Sequence, residues 1–280
     1  MSEITEVGIE IFNALMSFVQ GILFLDPVNF RDGSVWDAVV NVNFALVPVT
    51  ATIVIITFLL SLYDESIAEL NRSTVFRYGL RFCFALAVSG GSTGIVTIII
   101  VFGNWVASEI VSVVPGGRIE FTIPQEIIDA LNHINVLDPS SWATVNIRIV
   151  IQIAFFLICV GSSIVVTIAV FTRLFKLYIM GALAPIPLAF AGAGSGHELG
   201  RIPWRFVNNF IGQSFQVAII WVLMFFFNLF MNHSINVVAA NSSQELLLIV
   251  LWMAETTIYM VVLVVMIKGA DRLAAQFGFG

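Results

Sequence analysis

Residues able to do chemistry are sparse in this chain, and their spacing excludes most of what they could do. His133, His197 and His233 are scattered, and none sits in the His-Glu-x-x-His spacing that puts two imidazoles on one helix face for a metal. His197-Glu198 beside Arg201 reads as a solvated turn. Gly192-Ala193-Gly194-Ser195-Gly196 is rich in glycine but lacks the lysine of a nucleotide phosphate cradle, so no nucleotide hydrolysis is expected. Cys83 and Cys159 fall in different apolar runs, where a thiol reads as a small core residue and not as half of a disulfide. No catalytic set, metal set or cofactor site emerges, and the chain reads as a non-enzyme.

What remains is polar chemistry embedded in apolar sequence. Glu255 lies well inside the apolar run 246–267. An ionisable group near a bilayer midplane costs about 2.5–3.5 kcal/mol on insertion scales, so it must face other helices or water. Two roles fit it. One is hydrogen bonding, with Gln152, Asn228 or the neighbouring Thr256 and Thr257 as partners; the other is a place on a pore or ion path. Arg205, Asn209, Gln213 and Gln216 are spaced to collect on one helical face. They serve either as glue between helices, at about 0.6–2 kcal/mol per amide, or as the lining of an aqueous path. Arg173 and Lys176 precede an apolar segment broken by Pro185 and Pro187, which puts cations at its mouth.

The elements that must position these residues are membrane spans. The chain is 59% hydrophobic and 11% charged, with mean hydropathy +1.00, which leaves no room for a large soluble domain. About 20 apolar residues cross a ~30 Å hydrocarbon core as a helix, and the runs are continuous, which excludes the alternating pattern of a barrel. We place spans at 38–62, 82–102, 147–171, 210–230 and 246–267. Arg72, Arg77, Arg81, Arg173, Lys176, Arg201, Arg205, Lys268 and Arg272 then fall on one side, against Arg31, Arg118 and Arg148 on the other. That bias predicts the N-terminus outside and the C-terminus in the cytoplasm. The net charge of −6 carries little weight, because acidic residues barely influence topology.

A sixth apolar segment, 177–193, would put Arg201 and Arg205 outside if it crossed, and its prolines interrupt a continuous helix. It reads as a bent, re-entrant or interface-lying continuation of the third span. Such backbone survives at depth only where protein or a water-filled cavity surrounds it, which makes this segment the leading candidate for a functional site. Upstream, Glu6, Glu10, Asn13, Ser17 and Gln20 alternate with Ile9, Phe12, Met16 and Val19 at helical spacing. This predicts an amphipathic helix that lies in the outer interface or packs on another subunit, and its acidic start is unlike a signal peptide. Domain organisation follows: an extracytoplasmic amphipathic helix over 1–33, then a membrane domain over 34–280 with an outer loop at 103–146 and a cytoplasmic loop at 172–209. In the outer loop, Pro115-Gly116-Gly117 marks a turn, Thr122-Ile123-Pro124-Gln125 a helix start running to about Asn135, and Asp138-Pro139 the approach to the third span. Ser34-Val35-Trp36-Asp37 starts the first span. Ser89-Gly90-Gly91-Ser92 and Gly94 predict close helix approach in the second. No internal repeat suggests an inverted-repeat transporter.

The run Arg173-Leu174-Phe175-Lys176-Leu177-Tyr178-Ile179-Met180, followed by Ala182-Leu183-Ala184-Pro185-Ile186-Pro187-Leu188-Ala189, resembles the most distinctive segment of the TrbL/VirB-type polytopic inner-membrane subunit of conjugal transfer (type IV secretion) systems. The glycine cluster from Gly192 to Gly196 and the Phe210-Ile211-Gly212-Gln213-Ser214-Phe215 entry to the next span are similar to that family too. The likeness covers about residues 172–230, and the chain resembles a compact member. It implies a multi-pass subunit of the cytoplasmic (inner) membrane, in contact with lipid and acting as a homo-oligomer. It also implies neighbours among the other type IV secretion membrane subunits and the secretion ATPases. The cargo implied is single-stranded DNA with attached protein, drawn as a polyanion to cations at the mouth. Two further readings stay open: a stand-alone proton-coupled ion or solute transporter using Glu255, and a purely structural scaffold. Burial of Glu255 among helices predicts that Glu255→Arg lowers the amount of assembled protein in membranes; normal levels on immunoblots of membrane fractions would refute it.

Overall fold

The computed structural model describes residues 3–23, 25–64, 72–113, 121–133, 142–193, 198–239 and 245–277, and the long apolar runs among them fold as helix, one of them running on through Pro48. No strand occurs among these residues. The helices are α1 (Glu3–Leu23), α2 (Ser34–Asp64), α3 (Arg72–Gly90), α4 (Ser92–Val113), α5 (Gln125–His133), α6 (Trp142–Leu183), α7 (Pro185–Ala189), α8 (Ile202–Ala239) and α9 (Glu245–Phe277). Single 3-10 turns at Phe190–Gly192 and Glu198–Arg201 link α7 to α8. The turn expected at Pro115-Gly116-Gly117, the Asp138-Pro139 approach and His197 lie outside the described residues.

Among the described residues six helices, not five, are long and apolar enough to cross a membrane: Ile4–Leu23, Ser34–Tyr63, Ser92–Val113, Ile149–Leu183, Glu198–Met231 and Leu247–Ala270. The additional one is α1, whose mixed face concealed enough total hydropathy. The expected second span, 82–102, is interrupted, because α3 stops at Gly90 and α4 begins at Ser92. Each glycine in a helix interior costs about 1 kcal/mol relative to alanine, and flanking serines favour helix ends. The break is shallow: Gly91 N–H still donates to the Ala87 carbonyl at 2.9 Å.

The chain forms two compact units interleaved in sequence. The first comprises 1–24, 110–171 and 218–270, and its core is aromatic. Phe12 packs on Phe227 at 6.1 Å between ring centres, while Trp252 takes Phe121 at 5.8 Å and Phe155 at 5.6 Å. Ile9, Phe12, Met16 and Val19 are buried, so the apolar stripe of α1 is spent on its own chain and not left for an interface or another subunit. Gly8 lets α1 approach α6, since a Cβ there would sit 3.1 Å from Phe156 Cδ2. Asn13 secures the entry to α5: its Nδ2 donates to the Phe121 carbonyl at 2.8 Å, and Phe121 N–H donates to its Oδ1 at 3.0 Å. Helix α5 then starts after Pro124, as the sequence predicts.

The second unit comprises 25–109, 172–217 and 271–280. Arg31, Asp32 and Gly33 take φ of 51, 57 and 80°, a left-handed run that reverses the chain before α2 and that only Gly33 adopts without steric cost. Helices α2 and α3 lie side by side and antiparallel, with Val54 against Ala85 and Phe58 against Phe82. Deeper in this unit the breaks in two different helices meet at one side chain. Pro185 has no N–H, so the Gly181 carbonyl loses the partner four residues along that a regular helix supplies. Asn43 Nδ2 takes that place at 3.0 Å, beside a long bond of 3.4 Å from the Ala184 N–H, and Asn43 Oδ1 accepts the Ser92 and Thr93 hydroxyls, each at 3.0 Å. Gly181 makes the approach feasible: a Cβ there would stand 3.3 Å from Val39 and 3.4 Å from Val96.

An unsatisfied buried polar group costs about 1–3 kcal/mol. Asn43→Ala is therefore expected to lower stability in detergent by about that amount. Pro185→Ala restores an N–H for the Gly181 carbonyl and is expected to soften the loss when combined with Asn43→Ala. Thermal unfolding of the four proteins as a double-mutant cycle checks this, and strictly additive losses would count against it.

Candidate functional site

The site is built where α6 ends. Its last turns carry Arg173, Leu174 and Leu177 inward, with Phe175, Ile179 and Leu183 outward, a helical alternation that follows directly from sequence. The chain breaks at Ala184, continues as α7 from Pro185 and tightens into Phe190–Gly192. Proline is well placed at the first position of a helix, where its missing donor is not needed. Ala189 packs on Val54 and Ala85, and a Cβ on Gly192 would meet Ala85 Cβ at 3.2 Å. The proline elbow is thus covered by α2 and α3 of the same chain, which is how irregular backbone avoids exposing polar groups to lipid.

Arg173 does not front an open mouth. It is 1% exposed, with Nε donating to the Gln213 carbonyl at 3.3 Å and Nη2 to the Ser214 carbonyl at 3.4 Å. These are mid-helix carbonyls of α8, whose second lone pair is free to accept. Nη1 is buried without a partner, and so is Oε1 of Gln213. The cation is held by peptide dipoles, since neither carbonyl carries a charge. On the same side of α6, Tyr178 Oη donates to the Pro27 carbonyl at 3.1 Å. Next to Pro27, Asp26 accepts from Asn104 Nδ2 at 3.1 Å and from Asn29 Nδ2 at 2.7 Å. Ser214 Oγ donates to the Ile99 carbonyl at 2.9 Å, and Gly103 leaves the room, because a Cβ there would overlap Ser214. Together these bonds tie α4, α6 and α8 around the guanidinium.

The other expected positions separate. Pro185 is buried, Pro187 and Lys176 are half-buried, and Arg201, Arg205 and Asn209 are exposed. Gln213 and Gln216 are buried, so the polar face of α8 is divided: its first half looks outward and its second half into the packing around Arg173. Glu255 is elsewhere, in the first unit, half-buried on α9. Tyr259, one turn along its own helix and not among the partners expected, donates to its Oε1 at 3.1 Å and stacks on Phe230. Cys159 is buried, but Cys83 is exposed on α3 instead of in a core. No group of His, Cys, Asp and Glu able to hold a metal occurs among the described residues.

Asn43, which organises the second unit, was not singled out by spacing, whereas Asn13 was named only as part of the polar stripe of α1. An asparagine in an apolar run was the available signal, but Asn41 gives the same signal two residues earlier and is exposed. The fold and site together define an all-helical chain with six helices able to span a membrane and a polar centre inside apolar packing, compatible with a multi-pass membrane protein. Comparison with protein-family models, curated proteins and solved structures finds no match.

Replacing a buried, unpaired charge by an apolar side chain of similar length is neutral or stabilising by up to about 4 kcal/mol in well-packed sites. Arg173→Met is accordingly expected to keep or raise the unfolding temperature in detergent. A large drop would show that the fold needs the guanidinium; unchanged stability assigns the cation to function.

Proposed function

We propose that this chain is a non-enzymatic platform or channel subunit of a conjugative type IV secretion apparatus. In this reading five helices cross the cytoplasmic membrane and α1 does not, which leaves the N-terminus outside and the C-terminus inside. It assembles as a homo-oligomer beside other membrane subunits and secretion ATPases, and helps single-stranded DNA with attached protein to cross. One observation supports this above the rest: the stretch that resembles the family is also the stretch that forms the proline elbow and holds Arg173, the least ordinary piece of chemistry in the second unit. A cation buried among apolar helices and held by neutral dipoles is expensive, and such residues are kept where an ion or a polyanion must pass or an assembly must lock. The exposed Arg201 and Arg205 supply the positive cytoplasmic rim that the topology requires.

Glu255 favours the transporter reading only through its buried Oε2, which lacks a partner. Proton-coupled uptake by the purified chain alone, lost in Glu255→Gln, would support that alternative. For the secretion role, cysteines placed at Arg201 and Arg205 are expected to react with impermeant maleimide only in inverted vesicles. A photocrosslinker at Pro187 is expected to capture transferred DNA when partner ATPases are active. Labelling of those cysteines in intact cells, or undiminished transfer without this chain, would overturn the proposal.

A further inference from the structure

Helix α3 is long, at 19 residues, yet absent from the set apolar enough to cross a membrane. It contains Arg72, Arg77 and Arg81 and no acidic residue, in a chain whose net charge is −6. One face packs inward through Ala85 and Ser89. The opposite face presents Phe76 at 69%, Leu80 at 56% and Phe84 at 60% exposure, an apolar ladder at helical spacing. Arg77, exposed, stands beside this ladder, and Arg81 one turn later lies over the Tyr78 ring at 5.4 Å. A basic, amphipathic helix with aromatic residues on its apolar face suits a bilayer–water boundary.

The pairing of α3 with α2 fixes the level of these arginines. Phe82 sits against Phe58 in an antiparallel pair, and the apolar stretch of α2 ends at Tyr63. Arg77 lies as far before Phe82 as Tyr63 lies after Phe58, about 7.5 Å along each helix. Arg77 therefore stands where the hydrocarbon-compatible surface of α2 gives out, and Arg81 about 6 Å further along α3, level with Leu59. Leu59, Leu60 and Tyr63 are themselves exposed there, which extends the apolar surface across both helices. We propose that Arg77 and Arg81 bind the phosphate of an anionic phospholipid headgroup, with its acyl chains along Leu80, Phe84, Leu59 and Leu60. A guanidinium pair one turn apart matches phosphate oxygens, and a headgroup without a compensating ammonium is preferred. The elbow would feel this lipid, because a Cβ on Gly192 would lie 3.4 Å from the Arg81 carbonyl. The inference needs α2 to cross a membrane; it does not need the chain to move DNA.

The test is native mass spectrometry of the full chain from dodecyl maltoside with equal phosphatidylglycerol and phosphatidylcholine of matched acyl chains. The wild type should retain phosphatidylglycerol over phosphatidylcholine by about tenfold or more, as two arginines near a surface allow. Arg77→Gln with Arg81→Gln should bring the ratio close to one, and Arg77→Gln alone, at an exposed position, should lower it without affecting folding. Arg201→Gln with Arg205→Gln should leave it unchanged. An equal ratio for the wild type, or an undiminished ratio in the Arg77/Arg81 variant, would overturn the site. Displacement by free glycerophosphate would reassign it to a soluble phosphate. Loss of a copurifying protein in that variant, with the lipid ratio kept, would reassign the face to a protein partner. Topology labelling can fail for the secretion proposal while this ratio stands, so the two are separable.

Discussion

A proline in a helix leaves a carbonyl without its donor, and in an apolar environment that carbonyl must be answered by another part of the chain. In this protein the Gly181 carbonyl is answered by Asn43 from α2, and the same amide collects Ser92 and Thr93 at the start of α4. Three elements far apart in sequence are thereby held at one point. The glycine break at Gly91 and the proline break at Ala184 become two ends of one arrangement. Asn43 serves both places at once, donating to the carbonyl at one and accepting the hydroxyls that open α4 at the other.

The same rule governs the rest of the second unit. Arg173 finds carbonyls of α8, Tyr178 finds the Pro27 carbonyl, and Asp26 gathers amides from Asn29 and Asn104. Apolar contact supplies most of the burial, as in the cluster of Trp36, Val39, Val96, Ile100, Leu177 and Phe210. Such contact is tolerant of register, whereas each hydrogen bond is not, so the polar centre selects one packing among many apolar ones. In the first unit, rings take over that selective role, and Asn13 makes a paired backbone contact of comparable specificity.

Long-range placement explains where sequence reading stopped. The spans built on α2, α6, α8 and α9 were legible because twenty apolar residues in a row have few other options. The amphipathic pattern of α1 was legible too, but a periodic stripe states only that one side is buried and not against what; here its partners are Phe227, Phe156 and Phe121. Asn43 and Asn41 are identical to a pattern reader, as are Gln213 and Asn209, since which side of a uniformly apolar helix faces protein is decided by its neighbours. Glu255 was legible as an expense, while its partner Tyr259 was passed over even though it lies one turn away on the same face.

Composition and the order of residues determined that this chain is helical, that its helices suit a bilayer, and that Pro185 and Pro187 would interrupt one of them. Those outcomes follow from local sterics and hydropathy, which each segment carries with it. Tertiary structure decided that Arg173 is interior instead of at a mouth, that the elbow is sheltered by α2 and α3, and that one asparagine closes both breaks. Those outcomes depend on which groups meet across 40 to 138 residues of chain, and hydrophobic periodicity holds no record of that pairing.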